Sequence, residues 1–259
     1  MIIAQISDTH IALDTPDAGR RRDDFERTIA DINALDPQPD VVIHTGDIVH
    51  NGRADEYAVA ATILADLKAP VYVIPGNKDD RANLRTAFAG TYLAPGSDVI
   101  DYVVEDFPVR LIALDTLDPG GNKGDFSFEQ IDRLSRWLDA DTAKPAAIFC
   151  HHPPFAVSVG PVAINFARPE VMEALAETLQ RPGRVAGVFC GHVHRAFKGH
   201  AGKIPAIVMP SIATTLRYGD YPPELKSCPL YYIHRFERHG KFTTEARIVG
   251  QDALRKQAL

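Results

Sequence analysis

Residues 41–47 read VVIHTGD, a short apolar run broken by Gly46-Asp47. Such a run, bounded by turn residues, predicts a buried strand ending in a tight turn. The same unit recurs on both sides. Upstream, residues 2–6 (IIAQI) form a second run, and residues 22–35 place Phe25, Ile29, Ile32 and Leu35 at helical spacing before Pro37 stops the pattern. Downstream, residues 54–67 set Tyr57, Ala61, Leu64 and Leu67 on one helical face, and VYVI at 71–74 is cut by Pro75-Gly76. The order βαβαβ predicts an α/β sheet with parallel strands.

The pattern continues along the chain. Residues 100–104 and 109–114, separated by Phe107-Pro108, predict an antiparallel pair. Residues 127–139 predict an amphipathic helix with Ser127 as N-cap and Gln130 three residues on. AAIFC at 146–150 and VAGVFC at 185–190 read as buried strands, with a helix from Pro169 to about Leu179 between them. After residue 195 strands dominate, at 205–209, 230–236 and 242–249. The expectation is a mixed α/β core over 1–195 and a β-rich segment over 196–259, without internal repeats or an interdomain linker.

Composition narrows the classes. A chain of 259 residues with 45% hydrophobic residues can bury a core without disulfides or a structural metal. Its net charge of −6 argues against a stable nucleic-acid partner, which requires a basic surface. Three cysteines, Cys150, Cys190 and Cys228, make no disulfide framework and point to a reducing compartment. The opening MIIAQIS reads as a strand rather than a signal peptide, and no apolar run approaches the ~20 residues of a membrane span. A cytoplasmic protein without membrane association is expected.

Metal-type residues gather at the carboxyl ends of the predicted strands. Asp8 and His10 follow the first, Asp47 the second, Asn77-Lys78-Asp79 the third; His151-His152 follow AAIFC, and His192 and His194 follow VAGVFC. Open α/β sheets bind ligands at strand carboxyl ends, so these loops are expected to converge. Carboxylate, imidazole and amide oxygen donors suit manganese, iron, zinc or cobalt rather than a thiolate-bound metal. Taken singly, each motif has an ordinary structural reading: D-x-H recurs by chance, G-D is a common turn, and H-x-H could be a surface pair. Their joint occurrence, in order and each at a strand end, argues for a site.

The ordered strings ISDTH, TGDIV followed by GRADEY, VIPGN-x-DDR, KPAAIFCHHPP and FCGHVH resemble those of the calcineurin-like metallophosphoesterase superfamily. Within it they are similar to bacterial class III cyclic-nucleotide phosphodiesterases and the related glycerophosphodiesterases. The resemblance covers about residues 1–195. It implies an αββα sandwich, with the C-terminal strands completing the sandwich and serving as a cap or dimer interface. It also implies two divalent ions (Mn²⁺, Fe²⁺ or Fe³⁺, Zn²⁺, Co²⁺). Asp8, His10, Asp47 and His194 would hold the first, and Asp47, Asn77, His151 and His192 the second, with Asp47 bridging. His151 rather than His152 matches the family ligand, which leaves His152 as a packing or supporting residue. Asp47, Asn77 and Lys78 are the residues expected to carry catalysis.

The implied activity is hydrolysis of small phosphodiesters, 3',5'-cyclic nucleotides or glycerophosphodiesters, by a metal-bridging hydroxide. A phosphomonoesterase acting on nucleotides or sugar phosphates, or a weakly catalytic metal-binding scaffold, are the alternatives; a homo-oligomer is expected. Ions at roughly 3.5–4 Å separation repel, and a bridging carboxylate lowers that cost. Coordination brings a water's pKa to roughly 7, and the ions neutralise charge on the phosphoryl oxygens.

Lys78 departs from the family pattern, which reads G-N-H-D. A lysine, with pKa near ~10.4, donates a proton less readily than an imidazolium near ~6.5. Lys78 is expected to face the phosphate as a fixed charge or as a proton donor; the other reading has it point to solvent. Cys150 and Cys190 read as small buried strand residues, and Trp137 as core. Arg20-Arg21-Arg22 reads as a solvated helix start, with phosphate steering as the other reading. Pro210-Ser211 and Thr214-Thr215 read as pocket lining or a turn, and Asn51-Gly52 as a turn.

Overall fold

The computed structural model describes residues 1–93, 98–140, 143–159, 162–163 and 166–250. One sheet contains β1 (Ile2–Ile6), β2 (Val41–His44) and β3 (Val71–Val73), and the late strands β12 (Leu230–Phe236) and β13 (Phe242–Ile248). Its order is β13-β12-β1-β2-β3, with β1, β2 and β3 parallel and β12 antiparallel to β1. The second sheet contains β4 (Tyr102–Val104), β5 (Arg110–Leu114), β6 (Ala146–Cys150), β9 (Val185–Cys190), β10 (Phe197–Ala201) and β11 (Ile204–Val208), in the order β10-β11-β9-β6-β5-β4. A separate antiparallel pair joins β7 (Ser158–Val159) to β8 (Val162–Ala163). The helices are α1 (Ala18–Asn33), α2 (Ala54–Ala65), α3 (Arg81–Ala87), α4 (Phe128–Ala140), α5 (Pro169–Leu179) and α6 (Pro223–Lys226).

The alternation of side chains along β1 and β2 assigns the layers. Ile3, Val41 and Ile43 share a core with Ile112, Ile148 and Phe149 of the second sheet. Ala4, Ile6 and Val42 point the other way, onto Phe25, Ile29 and Ile32 of α1 and Tyr57 and Leu64 of α2. Strands buried on both faces read as continuous apolar runs, which is why VVIH and IIAQI carry no polar alternation. Helices α4 (Ile131, Leu134, Leu138) and α5 (Val171, Leu175, Leu179) cover the second sheet through the same core as its strands. The result is two central sheets flanked by helices, four layers in all.

Polar contacts cross between the sheets: Tyr102 Oη on β4 donates to the Val73 carbonyl on β3 at 2.7 Å, and a buried network centres on Gln5. Gln5 on β1 donates through Nε2 to Thr45 Oγ1 and to the Cys190 carbonyl, both at 3.0 Å. Its Oε1 accepts from His234 Nε2 at 2.9 Å. A fully satisfied buried network of this kind fixes register between layers.

Several elements differ from the sequence-based expectation. Helix α1 begins at Ala18, ahead of the arginine triplet. Arg20 pairs with Asp24 at 3.0 Å and Arg22 with Glu26 at 2.7 Å, while Arg21 is buried and donates to the His10 carbonyl at 3.4 Å. The triplet is therefore not a uniformly solvated start. Neither α3 nor β10 was expected from the pattern: α3 spans two turns, and β10 (FKGHA) carries few apolar residues. No helix among the described residues is long and apolar enough to cross a membrane.

Candidate metal centre

The parallel strands β1, β2 and β3 deliver the Asp8–His10, Asp47 and Asn77 loops; β6 and β9 deliver His151 and His192–His194. Loops from both sheets thus meet at one end of the sandwich. The backbone there is unusual. Among the described residues, the non-glycine residues at positive φ are Asp8 (55°), His10 (45°), Asp47 (51°), His192 (72°) and His194 (56°). This left-handed region is costly for a residue with a Cβ, and such outliers cluster where function over-determines the chain. All five are residues singled out from the sequence.

Glycines let the loops close. A Cβ at Gly76 would collide with Asp47 Oδ1, and one at Gly191 with Ser7 Oγ and Asp8 Oδ2. Gly46, at φ +94°, lies against the His151 ring.

Two donor groups result. In the first, His10 Nε2 lies 3.0 Å from His194 Nε2 and 3.4 Å from Asp47 Oδ2. His194 Nε2 is also 3.2 Å from Asp8 Oδ1. Asp8 Oδ2 is held aside by the Ser7 hydroxyl at 2.6 Å and the His192 backbone N–H at 3.1 Å. In the second, Asn77 Oδ1 lies 2.9 Å from His192 Nδ1 and 3.2 Å from His151 Nε2. Asp47 Oδ1 is 3.4 Å from His151 Nε2. The two oxygens of Asp47 thus face different groups. The structure brings together all seven residues expected as ligands.

The tautomers show what this arrangement can hold. His151 donates through Nδ1 to the Thr45 carbonyl at 2.7 Å, and His194 through Nδ1 to the Leu216 carbonyl at 2.9 Å. With Nδ1 engaged, each ring turns Nε2 toward oxygen acceptors, and a cation that displaces the proton there meets a bare lone pair. Convergent buried acceptors repel one another and attract a cation. Burial lowers the proton affinity of His151, but the Asp47 and Asp8 charges and the hydrogen bonds to Asp47 and the Thr45 carbonyl together outweigh it and raise the ring's pKa to about 9. Burial likewise raises the Asp8 carboxyl, yet contacts from His10 and His194 hold it well below the usual range. Both carboxylates are ionised, and with Asn77 and four imidazoles they form an O/N donor set that fits borderline divalent metals.

His152 also presents a ring nitrogen within 4.8 Å of donors from His151 and His192. Its Nδ1 meets Thr116 Oγ1 at 2.9 Å and its buried Nε2 has no hydrogen-bond partner among the described residues, but the Asn77 oxygen faces the other two rings and not this one. Lys78 is exposed, and among the described residues its ammonium makes no hydrogen bond or ion pair. Cys150 and Cys190 are fully buried, with sulfurs 3.6 Å apart behind the ligand loops.

The supporting contacts of several residues named from the sequence lay outside that reading. Asp79 is buried and accepts from the backbone N–H of Gly76 (2.8 Å), Ile48 (3.1 Å) and Val49 (3.2 Å) and from Tyr57 Oη (2.8 Å). It ties the Asp47 loop to the Asn77 loop. Burial and the nearby Asp47 charge raise its carboxyl to about 7. Its place in G-N-x-D was visible, but its partners are tertiary. Ser211 donates to the Asp8 carbonyl at 2.8 Å, and Thr214 Oγ1 binds Asp24. These residues brace loops, and Asn51 forms the turn before α2 through Glu56.

Four layers of this kind, with acid, imidazole and amide donors gathered where two sets of parallel strands end, define a metallophosphoesterase. The calcineurin-like phosphoesterase family model matches residues 1–196, and the chain belongs to that family, a group of phosphoester hydrolases. It is 32% identical to "Probable glycerophosphodiester phosphodiesterase GpdQ" of Arcobacter nitrofigilis over 97% of this chain and 94% of that one. It is 25% identical to the 3',5'-cyclic adenosine monophosphate phosphodiesterase CpdA of Pseudomonas aeruginosa, over 94% of this chain and 88% of that one. The TT1561 structure of Thermus thermophilus shares the fold, with a TM-score of 0.61 at 11% identity, covering 96% of this chain and 98% of that one.

Proposed function

We propose that the protein is a binuclear metal-dependent phosphodiesterase for small diesters such as glycerophosphodiesters or 3',5'-cyclic nucleotides. Asp8, His10, Asp47 and His194 hold one divalent ion and Asp47, Asn77, His151 and His192 the other. The observation that carries this reading is the Asp47 carboxylate, with Oδ2 facing His10 and Oδ1 facing His151, both at 3.4 Å. Divalent ions there would supply positive charge to the phosphoryl oxygens and an activated water.

The residues of the chain perform the rest. Carbonyls of Thr45 and Leu216 fix the tautomers of His151 and His194. Asp79 holds two loops in register. Lys78, exposed and next to Asn77 in the chain, would meet a phosphate oxygen as a charge or donate a proton to a leaving alkoxide. The names of the relatives support diesters over monoesters.

The test compares bis- and mono-nitrophenyl phosphate, cyclic AMP and glycerophosphocholine as substrates, with metal analysis alongside. Two ions per chain, diesterase activity lost on chelation and recovery with Mn²⁺ or Co²⁺ are expected. A faster rate on the monoester at full metal loading overturns the diesterase reading.

A further inference from the structure

His10 differs from the other candidate ligands in what lies behind it. Its Nε2 faces the metal centre, against His194 Nε2 at 3.0 Å and Asp47 Oδ2 at 3.4 Å. A neutral His10 that offers Nε2 to a cation must carry its proton on Nδ1, and that N–H needs an acceptor. For His151 and His194 the acceptor is a backbone carbonyl, at 2.7 and 2.9 Å. For His10 it is another imidazole: His50 Nδ1 lies 3.5 Å from His10 Nδ1, with the rings 5.6 Å apart and 63° to one another.

We infer that His50 is a positioning residue for the first ion, its Nδ1 lone pair holding the His10 tautomer and ring orientation that present Nε2 to the metal. The inference rests on the metal-centre reading above. A carbonyl accepts always; an imidazole nitrogen accepts only when bare. His50 must therefore carry its own proton on Nε2, and this outer nitrogen has no partner among the described residues. The backbone fixes the ring's position, because His50 N donates to the Ile11 carbonyl at 2.9 Å. The same stretch accounts for the rest of His10: its N–H bonds the Asp47 carbonyl at 3.0 Å, and its carbonyl accepts from Arg21 at 3.4 Å. His50 is half-buried and stands outside both apolar cores, so its removal leaves their packing intact.

The geometry makes this an acceptor requirement rather than a need for a ring. An amide oxygen at residue 50 could replace the lone pair; a methyl group or an ammonium could not. The experiment titrates Co²⁺ and Mn²⁺ into metal-free protein by calorimetry, with the Co²⁺ d–d bands reporting coordination. Wild type is compared with His50→Ala, His50→Asn and His50→Lys. Loss of a supporting partner typically weakens metal affinity by about 10–100-fold. That loss is expected for one of the two ions in His50→Ala and His50→Lys, with most of it recovered in His50→Asn. The other ion and the melting temperature of the metal-free protein should hold.

Two-ion binding in His50→Ala indistinguishable from wild type overturns the inference and leaves the metal centre standing. So does equal weakening of both ions together with a lower melting temperature of the metal-free protein, the mark of a structural role. A wild-type protein that binds neither ion overturns the metal-centre reading itself, and the inference with it.

Discussion

The Lys78 backbone N–H donates to Asp47 Oδ1 at 2.8 Å, while its ammonium stands exposed and unpaired among the described residues. Backbone and side chain at this position therefore have separable effects. Lys78→Ala keeps the N–H that steadies the Asp47 carboxylate, so metal content should stay at the wild-type value. Removing one charge-assisted phosphate contact should cost roughly 2–4 kcal/mol of transition-state stabilisation, or some 10²–10³ in rate. If proton donation dominates, the loss falls on alkoxide-leaving diesters and spares nitrophenyl diesters, whose phenolate leaves unaided. Equal rates for Lys78→Ala and wild type on both substrate types, at full metal loading, would make Lys78 a bystander.

Asp47 gives a second test. Because its oxygens face different donor groups, Asp47→Ala should lose both ions, whereas Asp8→Ala should lose mainly the one shared with His10 and His194. His152→Ala should leave metal content unchanged, since the Asn77 and Asp47 oxygens face His151 and His192 rather than His152. Metal analysis after dialysis reads all three. An empty second site in His152→Ala, with His151→Ala still loaded, would exchange the roles assigned to the two histidines.

How much of this was legible beforehand depends on whether the signal is local. VVIH, AAIFC and VAGVFC announce buried strands by composition alone, and each donor sits within a few residues of a strand end. That adjacency made the site readable from order and spacing. Helix α3 and strand β10 are short and weakly patterned, so tertiary packing rather than propensity defines them. Arg21 reads as a surface charge because its contact with the His10 carbonyl, 11 residues back on another loop, is tertiary and has no mark in the helical pattern. Asp79 and His50 share that difficulty: their partners on the facing loops lie 30 or more residues away in sequence.

Gly191 tests the closeness of the loops. A Cβ there would run into Ser7 Oγ and Asp8 Oδ2, the side chain and carboxylate that open the first donor group. Gly191→Ala must displace the Asp8 loop, and weaker binding of the first ion is expected even if the protein remains folded. Circular dichroism establishes the fold and calorimetric titration the affinity. An unchanged first-ion affinity in a folded Gly191→Ala protein would show that the loop has more slack than these contacts indicate.

His234 carries a prediction about acid stability away from the metal centre. It is fully buried between the sheets, stacked on Phe189 with ring centroids 4.0 Å apart. Gln5 spends both amide hydrogens on Thr45 and Cys190, so Gln5 Oε1 must accept from His234 Nε2–H. His234 Nδ1 then accepts from the Thr244 hydroxyl at 2.7 Å, leaving no lone pair free for a second proton. Burial pushes the ring's pKa down from 6.5 to about 3. Above pH 6.5 neither the folded nor the unfolded chain protonates this residue, and its contribution is flat. Between 6.5 and about 3 the unfolded chain takes up a proton that the folded one refuses, so stability falls as pH falls. The slope approaches about 1.4 kcal/mol per pH unit, or about 2 kcal/mol between neutrality and pH 5. His234→Gln should be less stable than wild type at pH 8, because buried hydrogen bonds are lost, at a cost of about 1–3 kcal/mol. It should also lose this part of the acid slope, so that the two proteins converge on acidification. Urea unfolding of metal-free protein from pH 8 to 5 measures both, without interference from acid release of metal. Parallel curves across that range would mean that His234 titrates alike in the folded and unfolded chain, and that the Gln5–His234–Thr244 network does not exclude the proton.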